Sequence, residues 1–263
     1  MLSSAALLLL SAGAPAPALA RSVVVPKADK PGAFFLAGDS TTAVQSANGG
    51  GWGSGFLETT LLNGATGTNY GHNGATTVSF REGGDWDTVL QAVRDAVDEY
   101  TPYVTIQFGH NDQKSEKGIS IDEYKANLIQ FVEDVRDAGG NPILVTPLSR
   151  RQYSSTNASI TENLAAQRAA TLAAASSASP AAPAVDLNRA STDYLNAIGA
   201  DAAATYNLDA DDATHLNAAG SVVFGNMVSW LMVGGVDAEG LGAWTGPGEE
   251  YVEAFEEGVF VAG

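Results

Sequence analysis

The sequence predicts an α/β fold built on a parallel β-sheet. Short apolar runs alternate with longer amphipathic stretches, which is the pattern of successive βα units. Clusters of Gly, Asp, Ser, Asn and His follow several of these runs, as expected for loops beyond the carboxyl ends of parallel strands, where ligands bind. The chain has 263 residues, of which 45% are hydrophobic and 16% charged, so it can bury a sizeable core in one domain.

Local signals place the individual elements. Asp85 is a candidate N-cap, and Ser120 with Glu123, like Ser159 with Glu162, fits the capping box that opens a helix. The predicted strands cover residues 33–37, 66–70, 103–108, 143–147 and 183–186. The predicted helices cover residues 52–62, 85–99, 120–138, 159–177, 192–204 and 218–232.

The two ends of the chain differ from the rest. Residues 1–20 carry no charge, and their short apolar run precedes Ala-Leu-Ala at 18–20, which predicts a signal peptide cleaved after Ala20 and an exported protein. Residues 21–32 form a lead-in to the main domain at 33–235. Residues 236–263 are an acidic, Gly-rich C-terminal extension, either packed on the body or flexible. No other segment is predicted to be long and apolar enough to cross a membrane.

Charge and cysteine content exclude several classes of function. The chain has 30 acidic and 13 basic residues, a formal net charge of −17, and no cysteine. Disulfides, thiolate metal sites and a cysteine nucleophile are therefore excluded. Nucleic acids and anionic membranes bind basic surfaces, so neither is an expected partner. We expect a monomer.

Four polar clusters have the residue types that a serine hydrolase needs. Ser40 lies on a turn after the first strand, and His215 with Asp212 lies in one loop before the last helix. An imidazole oriented by a carboxylate can take the proton of a serine hydroxyl and make it a nucleophile. The backbone N–H groups of Ser40 and Gly74 and the Asn111 amide are candidate donors to a developing oxyanion.

These clusters resemble the sequence blocks of the SGNH (GDSL) hydrolases. The blocks are GDST at 38–41, Gly74 within NGATT, QFGHND at 107–112, and DATH at 212–215 followed by Asn-Ala-Ala-Gly. The order of these blocks and the residues within them are most similar to those of the rhamnogalacturonan acetylesterases, and the resemblance covers about residues 33–232. The resemblance implies a three-layer α/β/α sandwich of flavodoxin-like type with a five-stranded parallel sheet, and neither a metal nor a cofactor.

The resemblance also implies roles for single residues. Ser40 becomes the nucleophile, His215 the general base and Asp212 its orienter, with Ser40, Gly74 and Asn111 forming the oxyanion hole. Five further residues are candidate substrate-binding residues, although Asp39, His110 and Asp112 are expected mainly to shape their loops: Asp39, Thr41, Thr76, His110 and Asp112.

Some residues have alternative interpretations. Asp211 is a rival orienter one residue out of register, and His72 is expected to be a surface histidine. Asp209, Asp211 and Asp212 lack the glycine and terminal glutamate of an EF-hand loop. Asn157 is a glycosylation acceptor if the chain passes a eukaryotic secretory route. Ala75 stands where related acetylesterases often carry an arginine, which leaves the substrate open.

The expected activity is removal of O-acetyl groups from an acetylated plant cell-wall polysaccharide or oligosaccharide, of the rhamnogalacturonan or pectin type. One alternative is an esterase for another ester, such as acetylxylan or a longer acyl chain. A second is a non-catalytic glycan-binding protein whose exposed aromatics stack on sugars: Trp52, Trp86, Trp244 and Tyr251. An acidic glycan would be repelled by the net charge unless local cations compensate, and the candidates are Arg81, Lys114, Lys117, Arg150 and Arg151.

Overall fold

A computed structural model describes residues 30–156, 159–235 and 240–263, which fold around a five-stranded sheet. The strand order is β2-β1-β3-β4-β5, and every neighbouring pair is parallel. The strands are β1 (Gly32–Gly38), β2 (Thr66–Asn69), β3 (Thr101–Gln107), β4 (Asn141–Val145) and β5 (Ala184–Val185). This is the flavodoxin-like order, and the predicted α/β/α fold class is confirmed.

Helices cover both faces of the sheet. In the described residues they are α1 (Gly53–Thr59), α2 (Thr77–Glu82), α3 (Asp85–Ala96), α4 (Ile121–Asp137), α5 (Ala165–Ser177), α6 (Leu187–Ile198), α7 (Ala200–Ala204), α8 (Ala218–Gly235) and α9 (Glu249–Glu257). Successive side chains of a strand point to opposite faces, so β1 contributes to two cores. Phe34 and Leu36 pack with residues of α1, α6 and α8, whereas Phe35 and Ala37 pack with residues of α3, α4 and α5.

Two of the predicted helix caps differ from those in the structure. Gly84, not Asp85, is the N-cap of α3, because the Asp85 carboxylate instead contacts His72 Nδ1 at 2.7 Å. Ser159 does not open α5, which begins six residues later. The adjacent Ile160 N–H donates to Asn196 Oδ1 at 2.7 Å, and residue 160 pairs with residue 153 in an antiparallel bridge.

The predicted helix at 192–204 is two helices with an earlier start. Asp186 caps α6 by accepting from the Arg189 N–H at 3.3 Å, so the helix begins at Leu187 rather than at Thr192. Gly199 separates it from α7. The short helices α2 and α9 have no counterpart in the prediction.

Helix α8 corrects the expectation about apolar segments. Its 18 residues have a mean hydropathy of 1.3, so by length and composition it is apolar enough to cross a membrane. It is instead mostly buried inside the fold, where Phe224, Met227 and Val228 are fully covered. Such burial is typical of the core helix of a globular domain.

The C-terminal segment packs on the body wherever it is described. Leu241 is fully buried, and residue 245 pairs with residue 61 in an antiparallel bridge. The Phe255 ring meets that of Tyr194 edge-on at 5.3 Å. Of the two alternatives for this segment, residues 240–263 therefore adopt the packed one. Residues 1–20, residues 21–29 of the lead-in and Asn157 lie outside the described residues.

Candidate active site

The turn that carries Ser40 is held tightly against the sheet. β1 ends at Gly38, where a Cβ would lie 2.3 Å from Thr42 Oγ1 and 2.7 Å from the Gln107 carbonyl oxygen. Only glycine permits this approach. The Thr42 and Ala43 N–H groups then donate to the Asp39 carbonyl at 3.1 and 3.0 Å, which turns the chain sharply around Ser40.

Ser40, His215 and Asp212 form a continuous hydrogen-bonded chain. Ser40 Oγ lies 2.8 Å from His215 Nε2, and His215 Nδ1 lies 2.7 Å from Asp212 Oδ2. The carboxylate fixes Nδ1 as the protonated nitrogen, which leaves Nε2 free to accept the proton of Ser40. The structure thus brings together the three residues that the sequence predicted as nucleophile, base and orienter.

The loop around His215 is fixed on several sides. Asp212 Oδ1 accepts the N–H groups of Thr214 and His215, each at 2.9 Å. Partial burial raises the pKa of Asp212, but the bonds from His215 and Thr214 outweigh it and hold the pKa below its usual value. The His215 carbonyl accepts from the Leu208 N–H at 2.9 Å and from Arg151 Nη2 at 2.6 Å.

The candidate oxyanion donors lie on three loops that are joined by hydrogen bonds. The His72 N–H donates to the Gly38 carbonyl at 2.9 Å, which ties the Gly74 loop to the end of β1. Gly74 has φ of +80°, a left-handed conformation that favours glycine. Asn111 Nδ2 donates to the Ala75 carbonyl at 3.0 Å, so it joins the third loop to the second. Within the described residues, neither the Ser40 nor the Gly74 N–H has a protein acceptor.

Gln107 is a supporting residue to which sequence analysis gave no role. It is fully buried beside the turn that carries Ser40, and its Oε1 accepts from Thr42 Oγ1 at 2.6 Å and from Trp52 Nε1 at 2.9 Å. Its Nε2 donates to Thr41 Oγ1 at 2.8 Å. The signal in the sequence was a long polar side chain at the end of a buried strand.

Asp39 and His110 form a second buried pair under the turn. Asp39 Oδ1 accepts the N–H and hydroxyl of Thr41 at 2.9 and 2.7 Å, and its Oδ2 lies 3.7 Å from His110 Nδ1. Burial raises the pKa of Asp39, but His110 and Thr41 outweigh it and the net pKa is lowered. Burial also lowers the pKa of His110. His110 thus supports the loop, as expected.

Asp112 and Thr76 organise the start of α2. Asp112 Oδ1 accepts the Thr77 N–H and hydroxyl at 2.9 and 2.6 Å, and Thr76 Oγ1 caps the helix by accepting the Ser79 N–H at 3.0 Å. Burial raises the pKa of Asp112 to about 6. The described contacts of Asp39, Thr41, Thr76, His110 and Asp112 are structural, and their substrate contact stays a prediction.

The candidate cations have different surroundings. Arg151 is buried, which lowers its pKa to about 10, and its Nε donates to Asn207 Oδ1 at 2.6 Å. Arg81 forms an ion pair with Asp134 of α4. Arg150 is half-buried and donates to Thr214 Oγ1 at 3.1 Å, beside the catalytic loop. Lys114 Nζ donates to Asn111 Oδ1 at 2.7 Å. Lys117 is exposed on the 3₁₀ turn that follows.

Two other expectations are settled by burial and spacing. Trp52, Trp86 and Trp244 lie in the core, so they offer no platform for stacking on sugars. His72 is exposed, as expected of a surface histidine. The described part of the chain contains no cluster of three or more His, Asp or Glu side chains arranged to hold a metal ion.

The arrangement has the parts needed for acyl transfer. A serine hydroxyl faces an unprotonated imidazole nitrogen, and a carboxylate stabilises the imidazolium that proton transfer creates. The candidate N–H donors to a developing oxyanion lie on three loops that hydrogen bonds join to one another.

Comparison with known proteins identifies relatives of this chain. Two Bacillus subtilis (strain 168) proteins are similar in sequence to this chain. They are the rhamnogalacturonan acetylesterase RhgT, 35% identical over 127 residues, and the probable rhamnogalacturonan acetylesterase YesY, 36% identical over 126 residues. The alignments cover 47% and 46% of this chain and 52% and 55% of the relatives. The chain thus spans about half the length of the curated relatives it matches.

Solved structures share the fold at lower identity. Protein YXIM from Bacillus subtilis superposes with a TM-score of 0.66 and 24% identity, over 81% of this chain and 58% of that one. A mutant of Axe2, an acetylxylan esterase from Geobacillus stearothermophilus, superposes with a TM-score of 0.54 and 19% identity. This superposition covers 76% of this chain and 92% of that one. The profile of the GDSL-like lipase/acylhydrolase family matches residues 36–223, which is most of the chain. The chain therefore belongs to the GDSL-like lipase/acylhydrolase family.

Proposed function

We propose that this protein is a serine esterase that removes O-acetyl groups from an acetylated plant cell-wall polysaccharide of the rhamnogalacturonan type. The observation that carries the proposal is the Ser40–His215–Asp212 chain, with contacts of 2.8 and 2.7 Å. The names of the two sequence relatives support an acetylated carbohydrate as substrate. We further propose that residues 1–20 direct export, since such a polymer lies outside the cell.

Acylation begins at Ser40. Its Oγ attacks the acetyl carbonyl carbon while His215 Nε2 takes the hydroxyl proton, and Asp212 stabilises the resulting imidazolium. The Ser40 and Gly74 N–H groups and the Asn111 amide hold the tetrahedral oxyanion. The carbon–oxygen bond to the sugar then breaks, and the sugar oxygen takes the proton from His215.

Deacylation repeats the sequence with water. His215 Nε2 removes a proton from a water molecule that attacks the acetyl carbon of acylated Ser40. The same donors hold the second oxyanion. The bond between the acetyl carbon and Ser40 Oγ breaks, and Oγ takes the proton from His215. Acetic acid leaves and ionises to acetate in solution, so the enzyme returns to its starting state and only water is consumed.

The net charge of −17 limits the acidic substrates that the site can take. A polyanionic pectin fragment would be repelled at a distance, and salt screens this repulsion beyond about 8–10 Å. Of the five candidate cations, Lys114 and Arg150 contact residues of the active-site loops. Arg151 is buried, Arg81 is paired with Asp134, and Lys117 is exposed on the neighbouring 3₁₀ turn.

Acetate release from a panel of polymers tests the proposal. The purified protein is incubated with acetylated rhamnogalacturonan, acetylated homogalacturonan and acetylxylan, and Ser40→Ala serves as the control. We expect the highest rate on rhamnogalacturonan and no release by the variant. A higher rate on acetylxylan would contradict the substrate, and equal release by the variant would contradict the mechanism.

A series of p-nitrophenyl esters from acetate to octanoate tests the acyl group. The proposal predicts the highest kcat/KM with acetate. A maximum at octanoate would instead identify an esterase for long acyl chains. Failure of Ser40→Ala to reduce hydrolysis of any ester in the series would favour a non-catalytic protein with a contaminating activity.

A further inference from the structure

The Asn111 side chain is held by one contact on each end of its amide. It is buried to 4% exposure, Nδ2 donates to the Ala75 carbonyl at 3.0 Å, and Oδ1 accepts from Lys114 Nζ at 2.7 Å. A backbone carbonyl can only accept and an ammonium group can only donate. The amide therefore has one orientation, which leaves its second N–H unclaimed by any described residue.

Lys114 reaches this amide by folding back over its own turn. Its backbone N–H donates to the Asn111 carbonyl at 3.1 Å, which closes a turn between the two residues. The lysine stem is exposed, but its ammonium group ends on a buried acceptor. This contact distinguishes it from Lys117, which is exposed three residues later.

The Lys114 ammonium group lies among loops that carry negative charge. Two buried carboxylates, Asp39 and Asp112, belong to the same group of loops as Asn111, and the whole chain carries a charge of −17. Negative charge of this kind opposes an oxyanion. A cation bound to the amide oxygen polarises the amide, which makes its N–H a stronger donor to a developing oxyanion.

We propose that Lys114 is a positioning residue that orients and polarises the Asn111 amide for stabilisation of the oxyanion. The proposal rests on the acyl-transfer function proposed above. Because Lys114 acts through Asn111 and not on the ground-state substrate, its removal should lower kcat and leave KM nearly unchanged.

The test uses p-nitrophenyl acetate, a neutral substrate that has no acidic group to attract a lysine. Lys114→Met removes the ammonium group, Lys114→Arg keeps a cationic donor, and Lys117→Met makes the same change in net charge on the next turn. We expect Lys114→Met to lower kcat about tenfold with KM within twofold. Lys114→Arg should restore most of kcat, and Lys117→Met should match the parent.

A double-mutant cycle with Asn111→Ala separates positioning from other effects. If Lys114 acts through the amide, Lys114→Met should add less than a twofold loss in the Asn111→Ala background. A full tenfold loss there would overturn the proposal. So would an unchanged kcat in Lys114→Met, an equal loss in Lys117→Met, or a change confined to KM.

Failure of the proposed function is recognised separately. The parallel Ser40→Ala variant should abolish turnover, and retained turnover would overturn the serine mechanism regardless of Lys114. Thermal unfolding of each variant shows whether the fold is kept. Loss of kcat in Lys114→Met together with a large fall in Tm, not rescued by Lys114→Arg, would show a structural role and overturn the positioning role.

Discussion

Replacing Asp212 by asparagine isolates the chemistry of the triad from the stability of its loop. The asparagine Oδ1 can still accept the N–H groups of Thr214 and His215, which lie 2.9 Å from the aspartate oxygen. The loop is also held through the His215 carbonyl, which accepts from Arg151 at 2.6 Å. Asp212→Asn should therefore fold normally.

The effect on the reaction follows from one atom. The new Nδ2 replaces Oδ2, which lies 2.7 Å from His215 Nδ1, and two N–H donors cannot face each other there. The neutral imidazole then carries its proton on Nε2 instead of Nδ1. Nε2 therefore donates to Ser40 Oγ and cannot accept the hydroxyl proton. Loss of the right tautomer and of the charge on the carboxylate lowers kcat by about 10³–10⁴-fold, equivalent to about 4–5.5 kcal/mol on the barrier.

The assay is kcat on p-nitrophenyl acetate, with Tm measured in parallel. Asp211→Asn is the matched control, because Asp211 is exposed, adjacent and of equal charge. We expect Asp211→Asn to keep parental kcat. The reasoning is refuted if Asp212→Asn keeps more than a tenth of the parental kcat with Tm unchanged, or if Asp211→Asn loses as much as Asp212→Asn.

Three further predictions concern stability. Because the pKa of Asp112 is raised to about 6 from 3.8, its contribution to stability is full below pH 4 and is lost as pH rises through 6. The change in unfolding free energy from pH 4 to pH 7 should therefore be about 2–3 kcal/mol less favourable in the parent than in Asp112→Asn, since carboxylates with lowered pKa such as Asp212 act equally in both proteins. Equal pH dependence in both proteins would contradict this. Gln107→Leu should lower the free energy of unfolding by about 2–5 kcal/mol in chemical denaturation, because the buried Trp52 N–H loses its acceptor. A loss below about 1 kcal/mol would show that the hydrogen bonds of Gln107 are dispensable. Leu241→Ala should lower the free energy of unfolding by about 2–4 kcal/mol, because it leaves a cavity in the core, and Val259→Ala at an exposed site should lower it by under about 0.5 kcal/mol. Equal losses in chemical denaturation would contradict a packed C-terminal segment.

The parts of the fold that sequence predicts best are those that burial alone determines. β1 and β3 are central strands buried on both faces, and β1 in particular is a continuous apolar run. The start of α4 is also local, because Ser120 Oγ accepts the Glu123 N–H at 3.1 Å as the capping pattern requires.

Elements that depend on distant partners were predicted poorly. Ser159 carries the same capping signal, but the neighbouring Ile160 N–H is taken by Asn196, thirty-six residues away. Asp85 binds His72 from another loop in place of its own helix N-terminus. In both cases a tertiary contact overrides a local preference, and no pattern within a ten-residue window contains that partner.

The candidate site divides in the same way. Ser40, Asp212 and His215 follow from blocks at strand ends, since parallel strands bring their carboxyl ends to one edge. The supporting contacts of Gln107 and Arg151 could not be predicted, because each joins loops that are far apart in sequence. The reacting residues can therefore be predicted from sequence, whereas the contacts that position them depend on how the loops pack.

Covalent labelling of the nucleophile tests the central claim most directly. The protein and its Ser40→Ala variant are treated with a fluorophosphonate, and the adduct is located by peptide mass spectrometry. The account predicts one adduct per chain, on Ser40, with loss of esterase activity in proportion to labelling and no adduct in the variant. An adduct on another residue, or a fully active protein that carries the adduct on Ser40, would contradict it.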